Sequence, residues 1–173
     1  MNNNRQIDQA SALRSVELVR VLIDRGARLN SALLCAVDNY EMVKFLLRQG
    51  AKIIAAPGKT SAITNAAGTS DTEIIQLLLS HADDAELKSS CDALNWAAAG
   101  GRLDTVNLLV EQGFDVNAFT KDCSIGETPL LAICQGKKPY PHIIRRLLER
   151  GANISIQSTT GDAPRKFSST IMG

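Results

Sequence analysis

Glu41-Met42-Val43-Lys44-Phe45-Leu46-Leu47-Arg48-Gln49-Gly50-Ala51 sets apolar side chains at the second, third, fifth, sixth and seventh places of an eleven-residue phrase. Wound at about 3.6 residues per turn, those places merge into one broad stripe on a short helix. The glycine that follows stands where a helix commonly ends at positive φ. The phrase recurs at residues 17–27, 73–83, 104–114 and 142–152. Its copies begin at 17, 41, 73, 104 and 142, so the steps are 24, 32, 31 and 38 residues. Self-similarity at a period of about 20 to 50 residues is the signature of a stack. Gly26, Gly50, Gly113 and Gly151 are therefore expected at positive φ, and Ala82, which replaces glycine in the third copy, predicts a weaker helix end.

Upstream of each later copy lies an alanine-rich segment: residues 33–37, 63–67, 94–99 and 129–134. Small side chains allow two helices to approach closely, and Pro129 fits a first helical turn, where its missing N–H had no partner anyway. The predicted unit is helix, tight turn, helix. Gly126-Glu127-Thr128-Pro129-Leu130-Leu131-Ala132 resembles the ankyrin signature Gly-x-Thr-Pro-Leu-His-x-Ala with leucine in place of histidine. Phe114-Asp115-Val116-Asn117-Ala118 likewise resembles the Ala-Asp-Val-Asn-Ala tail of that family.

The resemblance covers roughly residues 6–157 and implies an all-α ankyrin-repeat solenoid of about five helix-turn-helix units. Their expected limits are 6–30, 31–57, 58–90, 91–124 and 125–157 within one domain spanning 1–173. The second is shortened, having lost most of its finger between Gly26 and Ser31, whereas the long last step reflects extra residues at 119–125 and 136–141. Residues 6–13 read as a polar capping helix. Residues 160–164 resemble the start of a sixth unit, and 158–173 read as a partial cap or frayed tail.

Hydrophobic residues make up 45% of the chain, ordinary for a folded protein, and no run reaches the roughly 20 apolar residues that span a bilayer. With no apolar signal segment at Met1 to Arg5, a soluble, cytoplasmic protein is expected. The four cysteines are too scattered for a disulfide scaffold, and Cys35 and Cys134 are expected as small buried hydrophobes. Net charge is +1, yet residues 137–166 carry seven bases against Glu149 and Asp162. That basic end suits an acidic protein partner facing residues 137–150. With only Tyr140 and Phe167 as aromatics there and no reader motif, nucleic acid is disfavoured.

Pro57-Gly58-Lys59-Thr60 ends like a phosphate loop, but position 53, where that motif needs glycine, is Ile53. Lys59 and Thr60 read instead as the turn and N-cap that open a unit. His81 and His142 are far apart and no Cys-x-x-Cys pair occurs, so no metal or cofactor is expected; His142 falls in the solvent-facing slot that Glu17, Glu41 and Glu73 hold. Trp96, between Leu94 and Ala97, is expected inside the stack; in the other reading it lines the inner surface beside Asn65.

The resemblance implies a non-catalytic interaction module, an adaptor, inhibitor or effector, that binds another protein through first helices and finger tips of units three to five. Carried over position by position, that surface is Lys59, Thr69, Ser89, Ala99, Phe119, Lys121, Ser124, Ile125, Glu127 and Gln135, joined by Lys138 and Tyr140 in the inserted loop. Phe119, Ile125 and Tyr140 are the expected anchors. The alternative is an enzyme or small-ligand-binding member of the family using Cys134, Lys138, Tyr140 and His142, with a thiolate favoured by nearby lysines. Asn117 resembles the asparagines hydroxylated in some ankyrin proteins.

Overall fold

The computed structural model describes residues 3–12, 15–54, 60–69, 71–119, 127–135 and 138–156, and it divides into two compact units, Met1–Ser90 and Cys91–Gly173. The first holds α1 (Asn3–Ala12), α2 (Val16–Asp24), α3 (Leu29–Cys35), α4 (Tyr40–Arg48), α5 (Ala62–Ala67), α6 (Thr72–His81) and α7 (Asp84–Ser89). The second holds α8 (Ala93–Ala99), α9 (Leu103–Glu111), α10 (Pro129–Gln135) and α11 (Pro141–Glu149). Every copy of the apolar phrase forms a helix, as its period dictates.

Packing follows the repeat. In the first unit, α1 packs on α2 and α3, α3 on α4 and α5, and both α4 and α5 on α6. In the second, α8 packs on α9 and α10, and α11 on both α9 and α10. First helices thus touch first helices and second helices touch second helices. The buried alanines explain the close approach: Ala32, Ala62, Ala66, Ala67, Ala93, Ala97 and Ala98 are all inaccessible to solvent. Between these layers Met42, Leu46, Ile63, Ile75, Leu78, Leu94, Leu109, Leu131 and Ile133 fill the interior.

Local chemistry sets the helix ends. Ser15, Asn39 and Ser61 accept the N–H of Leu18, Met42 and Thr64 at 3.4, 3.2 and 3.0 Å, each satisfying a donor that the first helical turn leaves open. The sequence placed the third of these caps one residue early: Ser61 caps α5, and Thr60 is exposed. The four glycines expected at positive φ have φ between 80° and 88°. Where Ala82 stands instead, α6 leaves in an extended conformation.

That extended exit leads into α7, which the repeat pattern did not foresee. Asp83 Oδ1 accepts the Glu86 N–H at 2.8 Å while Glu86 Oε2 accepts the Asp83 N–H at 3.2 Å, a reciprocal capping box. The other Glu86 oxygen accepts the Ile53 N–H at 3.0 Å, and Ser90 Oγ lies 2.7 Å from Ser61 Oγ. Helix α7 thereby pins the segment around the Ile54–Ser61 bridge, using polar groups that are themselves buried.

Candidate functional site

The solvent-facing side of the first helices follows one register. Cys35, Asn65 and Trp96 are each the fourth residue of a run beginning at a buried alanine, Ala32, Ala62 or Ala93, and all three are exposed. This corrects two expectations together. Cys35 is not a core residue, and Trp96 is 51% exposed instead of anchoring the interior. Each is followed directly by a buried alanine, Ala36, Ala66 or Ala97, which lies about 100° further round the helix. Ala99, three residues beyond Trp96 and half-buried, shares its face of α8. Only comparing the runs position by position, rather than reading Trp96 alone, exposes that signal.

Asn65 uses its exposed position structurally, donating from Nδ2 to the Leu34 carbonyl at 2.8 Å. Thr69 is exposed and donates its hydroxyl to the Asn65 carbonyl at 3.2 Å. Phe119 is 36% exposed at the end of the segment that follows α9. Glu127 is half-buried, its carbonyl accepts the Asn95 Nδ2–H at 2.8 Å, and burial pushes its carboxyl up from the ordinary range. Lys138 is exposed. Tyr140 is half-buried, its ring lying on Gly101 and edge-on to His142 with centroids 6.3 Å apart. Ser89 and Gln135 lie in α7 and α10, but their side chains, like all of Lys59, Lys121, Ser124 and Ile125, fall outside the described residues.

Asn117 ties one finger to the next. Its Nδ2 donates to the Gly151 carbonyl at 3.0 Å and its Oδ1 accepts the Asn153 N–H at 2.7 Å. Asn30 takes the Lys52 N–H at 2.9 Å in the same manner. Both atoms of the Asn117 amide are thus engaged with backbone.

A cleft of about 380 Å³ between α9 and α11 is lined by Leu103, Asn107, Glu111, His142, Arg145, Arg146 and Glu149. Arg146 crosses it, its Nε 2.6 Å from Asn107 Oδ1 and its terminal nitrogens 3.8 Å from Glu111 and Glu149. Cys134, Lys138 and Tyr140 are not among the lining residues, so the cleft joins His142 to a different set of groups from those expected. Burial pushes the Cys134 thiol up, away from the thiolate that nucleophilic chemistry uses. Among the described residues no group of three or more His, Cys, Asp or Glu side chains could hold a metal ion, and no helix is long and apolar enough to cross a membrane.

Family models of ankyrin repeats match residues 28–57, 54–120 and 125–159, the middle match as an array of three copies. The chain is similar to the Ankyrin repeat and KH domain-containing protein mask-1 of Caenorhabditis elegans, with 31% identity over 122 residues, covering 70% of this chain and 4% of that protein. It is also similar to the Ankyrin repeat and KH domain-containing protein CBG24701 of Caenorhabditis briggsae, with 30% identity over 160 residues, covering 86% of this chain and 6% of that protein. The chain therefore spans only a small fraction of the length of the curated relatives it matches. Ankyrin repeats are, as a class, protein-protein interaction modules. The matched models, the paired helices of both units and the repeated glycine turns agree that the chain belongs to the ankyrin repeat family, with an all-α solenoid fold.

Proposed function

We propose that the chain is a non-catalytic docking module, acting inside the cell as an adaptor, inhibitor or effector, and that the Cys91–Gly173 unit receives a segment of another protein. The observation that carries this reading is the exposure of Trp96. An indole held half in water by a short helix gains nothing for the core, while tryptophan is among the residues that dominate interface energetics. Phe119 supplies the second anchor. Ala99, Glu127, Gln135, Lys138 and Tyr140 surround the contact, with Lys121, Ser124 and Ile125 as further contributors. Lys59, Thr69 and Ser89 are proposed as contact residues of the Met1–Ser90 unit.

Exposed Lys138, Arg145 and Arg150 favour an acidic surface on the partner facing residues 137–150. Because packed helices already hold the docking face, association orders few side chains, which limits its entropic cost. The enzymatic alternative through Cys134, Lys138, Tyr140 and His142 is the poorer reading, since a thiol pushed up by burial is a weaker nucleophile at neutral pH.

The test is capture of partners from cells of the native source with the intact chain, Trp96→Ala and Phe119→Ala in parallel. Proteins retained by the parent and lost from both variants, whose thermal melts match the parent, support the reading. Retention by both variants would reject the two anchors.

A further inference from the structure

The charged groups of the cleft between α9 and α11 are unequally satisfied. Asn107 Oδ1 accepts the Arg146 Nε–H at 2.6 Å and so holds the guanidinium in place. Its two terminal nitrogens face Glu111 and Glu149, each at 3.8 Å and beyond hydrogen-bond reach, and among the described residues no hydrogen bond ends on them. Both carboxylates stand largely in water, their side chains 58% and 55% exposed, so the two ion pairs are weak. Arg145 and His142 line the same cleft and are exposed, and neither makes a hydrogen bond or ion pair among the described residues.

That arrangement fits an oxyanion. An oriented guanidinium with open N–H groups offers a carboxylate two parallel hydrogen bonds, and Arg145, its neighbour in the chain, supplies a second cation. The surrounding charge points the same way. Residues 102–111 and 138–150 carry Arg102, Lys138, Arg145, Arg146 and Arg150 against Asp104, Glu111 and Glu149, an excess of two positive charges. The cleft has a volume of about 380 Å³ and lies open to solvent, which suits side chains offered by a larger partner better than an enclosed small molecule.

We propose that this cleft receives an acidic segment of the partner protein, one carboxylate taking the terminal N–H groups of Arg146 while a second meets Arg145. In the free chain Glu111 and Glu149 stand in for the first of these carboxylates, and docking turns them out into water. Asn107 is the positioning residue, since its bond to Nε keeps the guanidinium aimed along the cleft. The inference deepens the docking reading above and rests on it for the partner being a protein. It adds the place where acidic charge is read and the groups that read it.

Histidine provides the readout, because the chain has two: His142 in the cleft and His81 at the end of α6. The intact chain is titrated at constant pH and low ionic strength with a capped hexapeptide of glutamate, and both imidazole proton signals are followed by NMR. The His142 signals should move to saturation while those of His81 stay, and the glutamine counterpart of the peptide should move neither. Arg145→Gln, at an exposed and unpaired position that leaves the fold intact, should weaken the peptide by at least about fivefold. Arg146→Lys keeps the charge but loses the planar fork and should weaken it as well. Glu111→Gln combined with Glu149→Gln should strengthen it by at least about twofold, whereas carboxylates that served only to join the helices would leave affinity unchanged. A His142 signal that does not move, an Arg145→Gln variant of unaltered affinity, or a carboxamide pair without gain overturns the proposal. Inorganic phosphate that moves His142 as far as the peptide does at equal concentration also overturns it, assigning the cleft to a small oxyanion. The titration reads the cleft without Trp96, so its failure leaves the α8 face standing, and partner capture undiminished by Trp96→Ala rejects that face without touching the cleft.

Discussion

The ring of Tyr140 rests on the α-carbon of Gly101: a Cβ built there would come within 2.4 Å of two ring carbons, and Gly101 itself has φ +73°. The turn between α8 and α9 is thus shaped by a residue from the turn between α10 and α11. Gly101→Ala should destabilise the fold by about 1–2 kcal/mol from the left-handed backbone alone, and further through displacement of the ring. Gly113→Ala is the control, since its φ is +86° and nothing lies within 4 Å. Urea denaturation that gives equal losses at both positions would show that the ring has no share in the effect.

Glu86 is a buried carboxylate serving two backbone donors, Ile53 N–H and Asp83 N–H. Glu86→Ala leaves the Ile53 N–H without its acceptor and should lower stability by about 1–3 kcal/mol, with faster hydrogen exchange at the Ile53 amide. Glu86→Gln keeps one acceptor oxygen and should recover part of that protection. Unchanged exchange at Ile53 in the alanine variant would rule out the staple.

Asn117→Ala removes both bonds that join its finger to Gly151 and Asn153. With each bond contributing about 0.5–1.5 kcal/mol, the expected loss is about 1–3 kcal/mol. The Asn153 amide should lose exchange protection, while amides of α2 keep theirs.

The Cys134 thiol predicts a pH profile. Burial favours its neutral form, so the folded chain holds the proton more tightly than the unfolded chain does. Alkylation of Cys134 at neutral pH, followed by mass spectrometry, should be slower in the folded protein than in urea. It should accelerate as pH rises past the ordinary thiol range. The stability tied to this proton is fully present below the unfolded thiol value and is lost as pH rises through the folded one. Equal alkylation rates folded and unfolded would refute the assignment.

Much of the architecture was legible because it depends on spacing. Five apolar phrases of one period can bury their stripes only against each other, and glycine at the end of four of them is the residue that reaches positive φ without strain. Pro129 opened α10 as its missing N–H suggested. Helix α7 was written in the sequence as Asp83-Asp84-Ala85-Glu86, a capping box, but it sits where the period leads one to expect a finger. The proposed contact surface was less legible. Exposure depends on which face of a short helix meets its neighbour, and an isolated tryptophan among alanines looks like a core residue.

The sequence by itself determined the all-α repeat, most of its helix ends and the glycine turns, because period, capping chemistry and glycine conformation act over a few residues. Only the tertiary structure decided that Trp96 faces solvent, that Tyr140 covers Gly101, that Arg146 spans α9 and α11, and that Leu18 and Val21 are exposed. Those outcomes depend on contacts between residues tens of positions apart, which a local pattern cannot specify.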